Sequence, residues 1–227
     1  MRTLIYVPVI HTAADLGSLA GDVSKRGVAG LGENVWKEHK RTVDGFWDAT
    51  MLYFNSLDVS GMKIYQDGLV ADGEVGERIV EEGIKSGSKN YQLVHRLLKK
   101  GALLVKTEDF KLVKEERDRL LSITRSKSTL QRLLAFIRYK LVKQRLLNKR
   151  DKFIADRINE TLNPNEKGII FIGAYHNIKN RLAGDIQIKE IKDTQKIKQY
   201  QQLLPFYNKN RNRFEELGKY LISKVEA

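Results

Sequence analysis

Four short apolar runs, residues 2–10, 62–66, 102–106 and 168–172, constrain the fold of this chain more than any other feature. Each is rich in Val, Ile, Leu or Tyr and too short for a helix, and long stretches of helical spacing lie between them. Strands separated in this way pair in parallel through crossovers, which cover both faces of the sheet. A fifth run, 185–191, sets Ile186, Ile188 and Ile191 among polar and charged residues and reads as a half-buried edge strand. The expected fold is α/β, with a central mixed, largely parallel sheet of about five strands flanked by helices.

A polar residue follows each of the first four runs: His11, Asp67, Glu108 and His176. Open α/β sheets take their ligands at the carboxyl ends of their strands, so these four are the first candidates for a site. Gly173-Ala174-Tyr175-His176 stands out among them, because a glycine directly after a strand lets the chain turn without a Cβ clash.

The intervening stretches read as helices. A loop from His11 to Ser18 leads into a short helix ending near Gly27, and a glycine-rich link, 27–32, precedes a longer one over 33–57. In that helix Val35, Trp36, Val43, Phe46, Trp47, Met51 and Phe54 recur at helical spacing, so core packing accounts for both tryptophans. Residues 72–87 and 88–100 form two more helices, and Gly101 stops the second. Residues 109–162 are a long basic helical insertion, with Leu130, Leu133, Leu134, Ile137, Leu141, Phe153, Ile154 and Ile158 as its apolar stripe. A short helix runs from His176 to Gly184, and two more, before Pro205 and over 206–226, make a helical tail at 192–227. The whole is expected to be one domain, 1–227.

Forty-one Lys and Arg against 28 Asp and Glu give a net charge of +13, a field that draws anions. No acid stands between Asp118 and Asp151, where Arg125, Lys127, Arg132, Arg138, Lys140, Lys143, Arg145, Lys149 and Arg150 accumulate. With no cysteine, a metal must be held by histidine, carboxylate or water. No apolar run approaches the roughly 20 residues that cross a bilayer, and the first ten residues read as a strand rather than a signal peptide. The expected location is cytoplasmic.

Arg150-Asp151, leading through Ile154-Ala155 and Ile158 to Gly173-x-x-His176, resembles the carboxyl-terminal signature of the TraB/PrgY and Tiki group. That group belongs to a wider superfamily with erythromycin esterase-like and ChaN-like proteins. In it an Arg-Asn or Arg-Asp pair on a long helix precedes a strand ending in Gly-x-x-His, and a second Gly-x-x-His closes the first strand. Here Pro8-Val9-Ile10-His11 keeps that histidine and has proline where the glycine is expected. The acid that the group carries after an early strand is matched by Asp67 or Glu108. The resemblance spans about Arg150 to Asn177 and implies metal-dependent hydrolysis, peptidase-like in the Tiki branch.

The chemistry allows that reading. Two imidazoles and a carboxylate, here His11, His176 and Glu108, can hold a divalent ion such as Zn, Mn or Co with open positions. Glu108, Asp67 and Arg150 are the candidate catalytic groups, and Arg150 and Tyr175 the candidate contacts to an anionic or peptide substrate. Imidazoles more than about 10 Å apart could not share one ion. His39 and His95 read as surface residues. A second reading is a binding or sensing protein for nucleic acid or a small anionic ligand, although only Phe136, expected to be buried, and Tyr139 interrupt the basic helix as aromatics. A third is a haem pocket with Tyr175 or His176 as ligand. The chain leaves room for a homo-oligomer.

Overall fold

The computed structural model describes residues 1–12, 14–15, 20–126 and 128–225. The elements are β1 (Arg2–Val9), α1 (Ala20–Leu31), α2 (Glu33–Asn55), β2 (Lys63–Gln66), α3 (Gly73–Lys85), α4 (Lys89–Lys99), β3 (Leu103–Val105) and α5 (Phe110–Arg125). After them come α6 (Thr129–Thr161), β4 (Lys167–Gly173), β5 (Ile186–Glu190), α7 (Thr194–Leu203) and α8 (Arg211–Ile222). The strands lie in the order β3-β2-β4-β1-β5.

All four strand pairings are parallel, so the sheet is not mixed as expected. The reason is the chain between the strands. Every connection crosses a face of the sheet and re-enters at the same edge, including the short one from β4 to β5, which carries only a 3-10 turn, Lys179–Arg181.

Alternation along the central strands divides the core in two. Ile5, Val7, Val9, Ile64, Ile169 and Phe171 pack with α2, α4, α7 and α8, among them Trp47, Leu93, Tyr200 and Phe214. Leu4, Tyr6, Tyr65, Ile170 and Ile172 face the other way, onto Ile154, Ala155, Ile158 and Leu162 at the end of α6. Each large apolar side chain so enclosed contributes about 1.5–3 kcal/mol. The second half of α6 is thereby fixed against the sheet, and Arg150 and Asp151 are carried to its edge.

Pro8 is tolerated on a central strand because β5 has ended beside it. The Tyr6 carbonyl accepts the N–H of Ile191, so the backbone of even-numbered residues faces β5, whose pairing with β1 stops at Tyr6↔Glu190. Two residues later no donor is needed.

Several sequence expectations shift. Helix α1 continues through Gly27 and Gly30 to Leu31, so only Gly32 breaks the chain there. Gly27 is instead a close approach: a Cβ on it would lie 2.4 Å from the Trp36 ring. The long insertion is two antiparallel helices, α5 and α6, with Ser128 capping the second. In place of the helix expected from His176 to Gly184 there is only the 3-10 turn Lys179–Arg181, and the last helix begins at Arg211 after a 3-10 stretch, Leu204–Lys209. Phe136 is half exposed rather than buried. Part of the loop after His11, including Gly17 and Ser18, lies outside the described residues, as do Lys127 and Glu226.

Candidate metal centre

β3, β2, β4 and β1 are neighbours in that order, so the residues just past their carboxyl ends, Glu108, Asp67, His176 and His11, meet at one edge. One ligand atom from each of Asp67, Glu108 and His176 lies within 4.8 Å of the others. These three side chains form a buried cluster close enough to hold a metal ion.

His176 sits in the turn after β4, its N–H bonded to the Gly173 carbonyl at 3.0 Å. Its Nδ1 is 2.5 Å from Asp151 Oδ1, and Asp151 Oδ2 accepts the Asn177 N–H at 2.9 Å. A carboxylate on Nδ1 fixes the ring and directs Nε2 inward, the support that metal-binding histidines usually have. Nε2 lies 3.4 Å from Asp67 Oδ2. Two lone pairs so placed need a cation between them. In a site without metal that cation is a proton: burial alone would lower the His176 pKa, but the charge of Asp67 and the bond to Asp151 outweigh it and push it up to about 10. In a loaded site it is the ion, since two ligands about 2.1 Å from one tetrahedral centre stand about 3.4 Å apart. The residues present therefore fit a metal.

Asp67 is held from three sides. Its N–H reaches the Phe171 carbonyl at 2.8 Å, its Oδ2 accepts the Gly173 N–H at 3.1 Å, and its Oδ1 accepts Arg150 Nη2 at 2.7 Å. Burial would raise its pKa, but His176 and Arg150 hold it well below the usual carboxylate range. Glu108 is fully enclosed and bonded by Arg150 Nε at 3.1 and 3.2 Å and again by Nη2. Burial pushes its carboxyl up to about 7, with Arg150 resisting and Asp67 adding to the rise.

Arg150 spends its fork on three carboxylates, Asp67, Glu108 and Glu116, the last through Nη1. At most one N–H is left for a substrate, so its position is that of a neutralising cation more than of an anchor. Its neighbour Asp151 takes His176, and the two consecutive helix residues thus serve adjacent strand ends.

His11 stands at the open rim. A Cβ built on Gly173 would lie 3.3 Å from Asp67 Oδ2 and 3.5 Å from both His11 Nε2 and His176 Cδ2. Those last two atoms are therefore no more than about 7 Å apart, but His11 is not among the side chains whose ligand atoms lie within 4.8 Å of one another. The glycine matters here for close approach rather than for a turn, because its φ is not in the left-handed region.

Tyr175 is about half exposed beside this rim. His176 has a carboxylate at each ring nitrogen and no open face, which does not fit a haem ligand. His39, expected on the surface, is half-buried. Its Nδ1 lies 3.0 Å from the Tyr200 hydroxyl, and burial lowers its pKa to about 4. His95 is half-buried as well. A largely apolar cavity of about 440 Å³ adjoins the rim, with His11, Ile10, Trp36 and His39 in its wall. Asp151 and Glu116 were not singled out as site residues from the sequence. Asp151 had a signal, its adjacency to Arg150, whereas Glu116 had none, because it arrives from α5 through the helical pairing.

No protein-family model matches the chain, and neither a curated protein nor a solved structure matches it.

Proposed function

We propose that this chain is a metal-dependent hydrolase, the activity implied by its resemblance to the TraB/PrgY and Tiki group. The observation that carries the reading is the 3.4 Å approach of His176 Nε2 to Asp67 Oδ2, with Asp151 holding the far side of the ring. In this assignment Asp67 and His176 are the inner ligands, His11 completes the set from the rim, and Glu108 is either a further ligand or the proton carrier. A bound divalent ion supplies Lewis acidity and a nucleophile near neutral pH.

The chain's own groups divide the remaining work. Asp151 keeps the His176 ring in one tautomer. Arg150 balances the charge of Asp67, Glu108 and Glu116, so that three acids can share a dry edge. Glu108, with a pKa near neutrality, is suited to take a proton at its carboxylate and return it to a leaving group. The cavity beside His11 gives an apolar part of the substrate a place to lie outside the cluster.

The test is turnover of a panel of ester and peptide substrates by protein stripped with chelator and then reloaded with Zn, Mn or Co. Activity that returns with one ion and is lost in His176→Ala, with the fold retained, supports the reading. Activity indifferent to chelator, or an unchanged His176→Ala, overturns it.

A further inference from the structure

The apolar stripe of the basic insertion is covered for only half its length. Ile154 and Ile158 are buried against the sheet, while Leu130, Leu133, Leu134, Ile137 and Leu141 are 44 to 77 % exposed. At about 100° per residue these five occupy an arc of about 100° on α6. The opposite side is the one packed on α5, where the Tyr139 hydroxyl donates to Glu116 Oε1 at 3.1 Å and Leu146 is buried. The stripe therefore faces away from the protein. On the same wheel Arg138 and Arg145 border one edge and Lys140 the other, and no acid stands between Asp118 and Asp151.

From this arrangement we infer that the α5–α6 arm seats the protein on an anionic lipid surface. The leucines and isoleucine enter the acyl boundary, and the flanking cations reach the headgroup phosphates with their stems laid along the apolar face. Two other occupants fit less well. A second copy on the same stripe would bring the bordering cations of both copies together. Nucleic acid would leave the five aliphatic side chains without a partner, since its bases stack on aromatics and Phe136, half exposed, is the one exposed aromatic among the described residues of this part of α6. Among the described residues no helix is long and apolar enough to cross a membrane, so the arm lies on the surface rather than through it. This inference stands apart from the metal centre and needs no turnover.

The experiment is co-sedimentation of the full chain with vesicles of phosphatidylcholine alone and of phosphatidylcholine mixed with phosphatidylserine, at low and high salt. The expected result is binding to the mixed vesicles only, weakened by salt. Removing the charge of Arg138 or Arg145 by substitution with glutamine should reduce binding about fivefold each. The double variant Leu134→Glu/Ile137→Glu should lose binding at least tenfold while keeping the wild-type circular dichroism, because both positions are exposed. Equal binding to both vesicle types, binding to neither, capture of a DNA duplex without capture of vesicles, or a Leu134→Glu/Ile137→Glu variant that binds vesicles unchanged would each overturn the inference. So would a dimer that this variant dissociates in a protein that ignores vesicles.

Discussion

Replacing Arg150 by methionine keeps most of the stem and removes the charge on which three acids converge. The guanidinium is only 11 % exposed, and the carboxylates of Glu108, Asp67 and Glu116 are 0, 10 and 19 % exposed. Removing one partner of a buried, hydrogen-bonded ion pair costs about 3–5 kcal/mol, because the other charge is left stranded. For a chain of this length that lowers Tm by roughly 10 °C, against a total stability of about 5–15 kcal/mol, so the variant should still fold. The loss should also depend on pH. Glu108 already sits near 7 with Arg150 in place, and without that cation burial pushes it higher, whereas in the unfolded chain it titrates near 4.3. A raised carboxyl pKa leaves the folded state holding the extra proton, so stability is retained at low pH and lost as pH rises through the folded pKa. The deficit of Arg150→Met relative to wild type should therefore be largest at pH 8 and shrink toward pH 5.5, as urea unfolding at both values would show. A deficit below about 1 kcal/mol at pH 8, or one equal at both pH values, would show that Arg150 is not the cation that neutralises Glu108.

Three further outcomes follow from the same geometry. Gly173→Ala places a methyl 3.3 Å from Asp67 Oδ2 and should weaken metal binding about tenfold with little change in Tm, whereas unchanged affinity would remove the close-approach explanation. Asp151→Asn leaves His176 without its carboxylate and should reduce metal affinity about 10–100-fold by calorimetry, while a loss under twofold would mean that the ring is held by other contacts. His39 is neutral in the fold down to about pH 4 but accepts a proton near 6.5 when unfolded, so it should withdraw about 3 kcal/mol of stability as pH falls through that window. His39→Gln should flatten that part of the stability profile, and a variant with the wild-type acid slope would contradict the assignment.

The strands were legible because they are short and flanked by helical periodicity, and the polar residue after each of the first four marks the site edge in the sequence itself. The pairing of consecutive acid and arginine on α6 with different strand ends was less so. Asp151 looked like a companion to Arg150, and only the packing of Ile154 and Ile158 under the sheet aims it at His176. Glu116 and His39 were unreadable for a common reason: each acquires its role from a helix distant in sequence, Glu116 from the pairing of α5 with α6 and His39 from Tyr200 on α7. Phe136 misled for the opposite reason, since an aromatic on an amphipathic helix implies a partner, and this one stands half exposed on the first turns of α6.

In the proposed function one divalent ion would replace the proton between His176 and Asp67. Cobalt titration of the chelator-stripped chain, followed in the visible range, tests it most directly. The stripped chain should take up one ion, with the intense absorption of a four-coordinate site, abolished in His176→Ala and reduced in His11→Ala. No binding, or binding unaffected by His176→Ala, would contradict it.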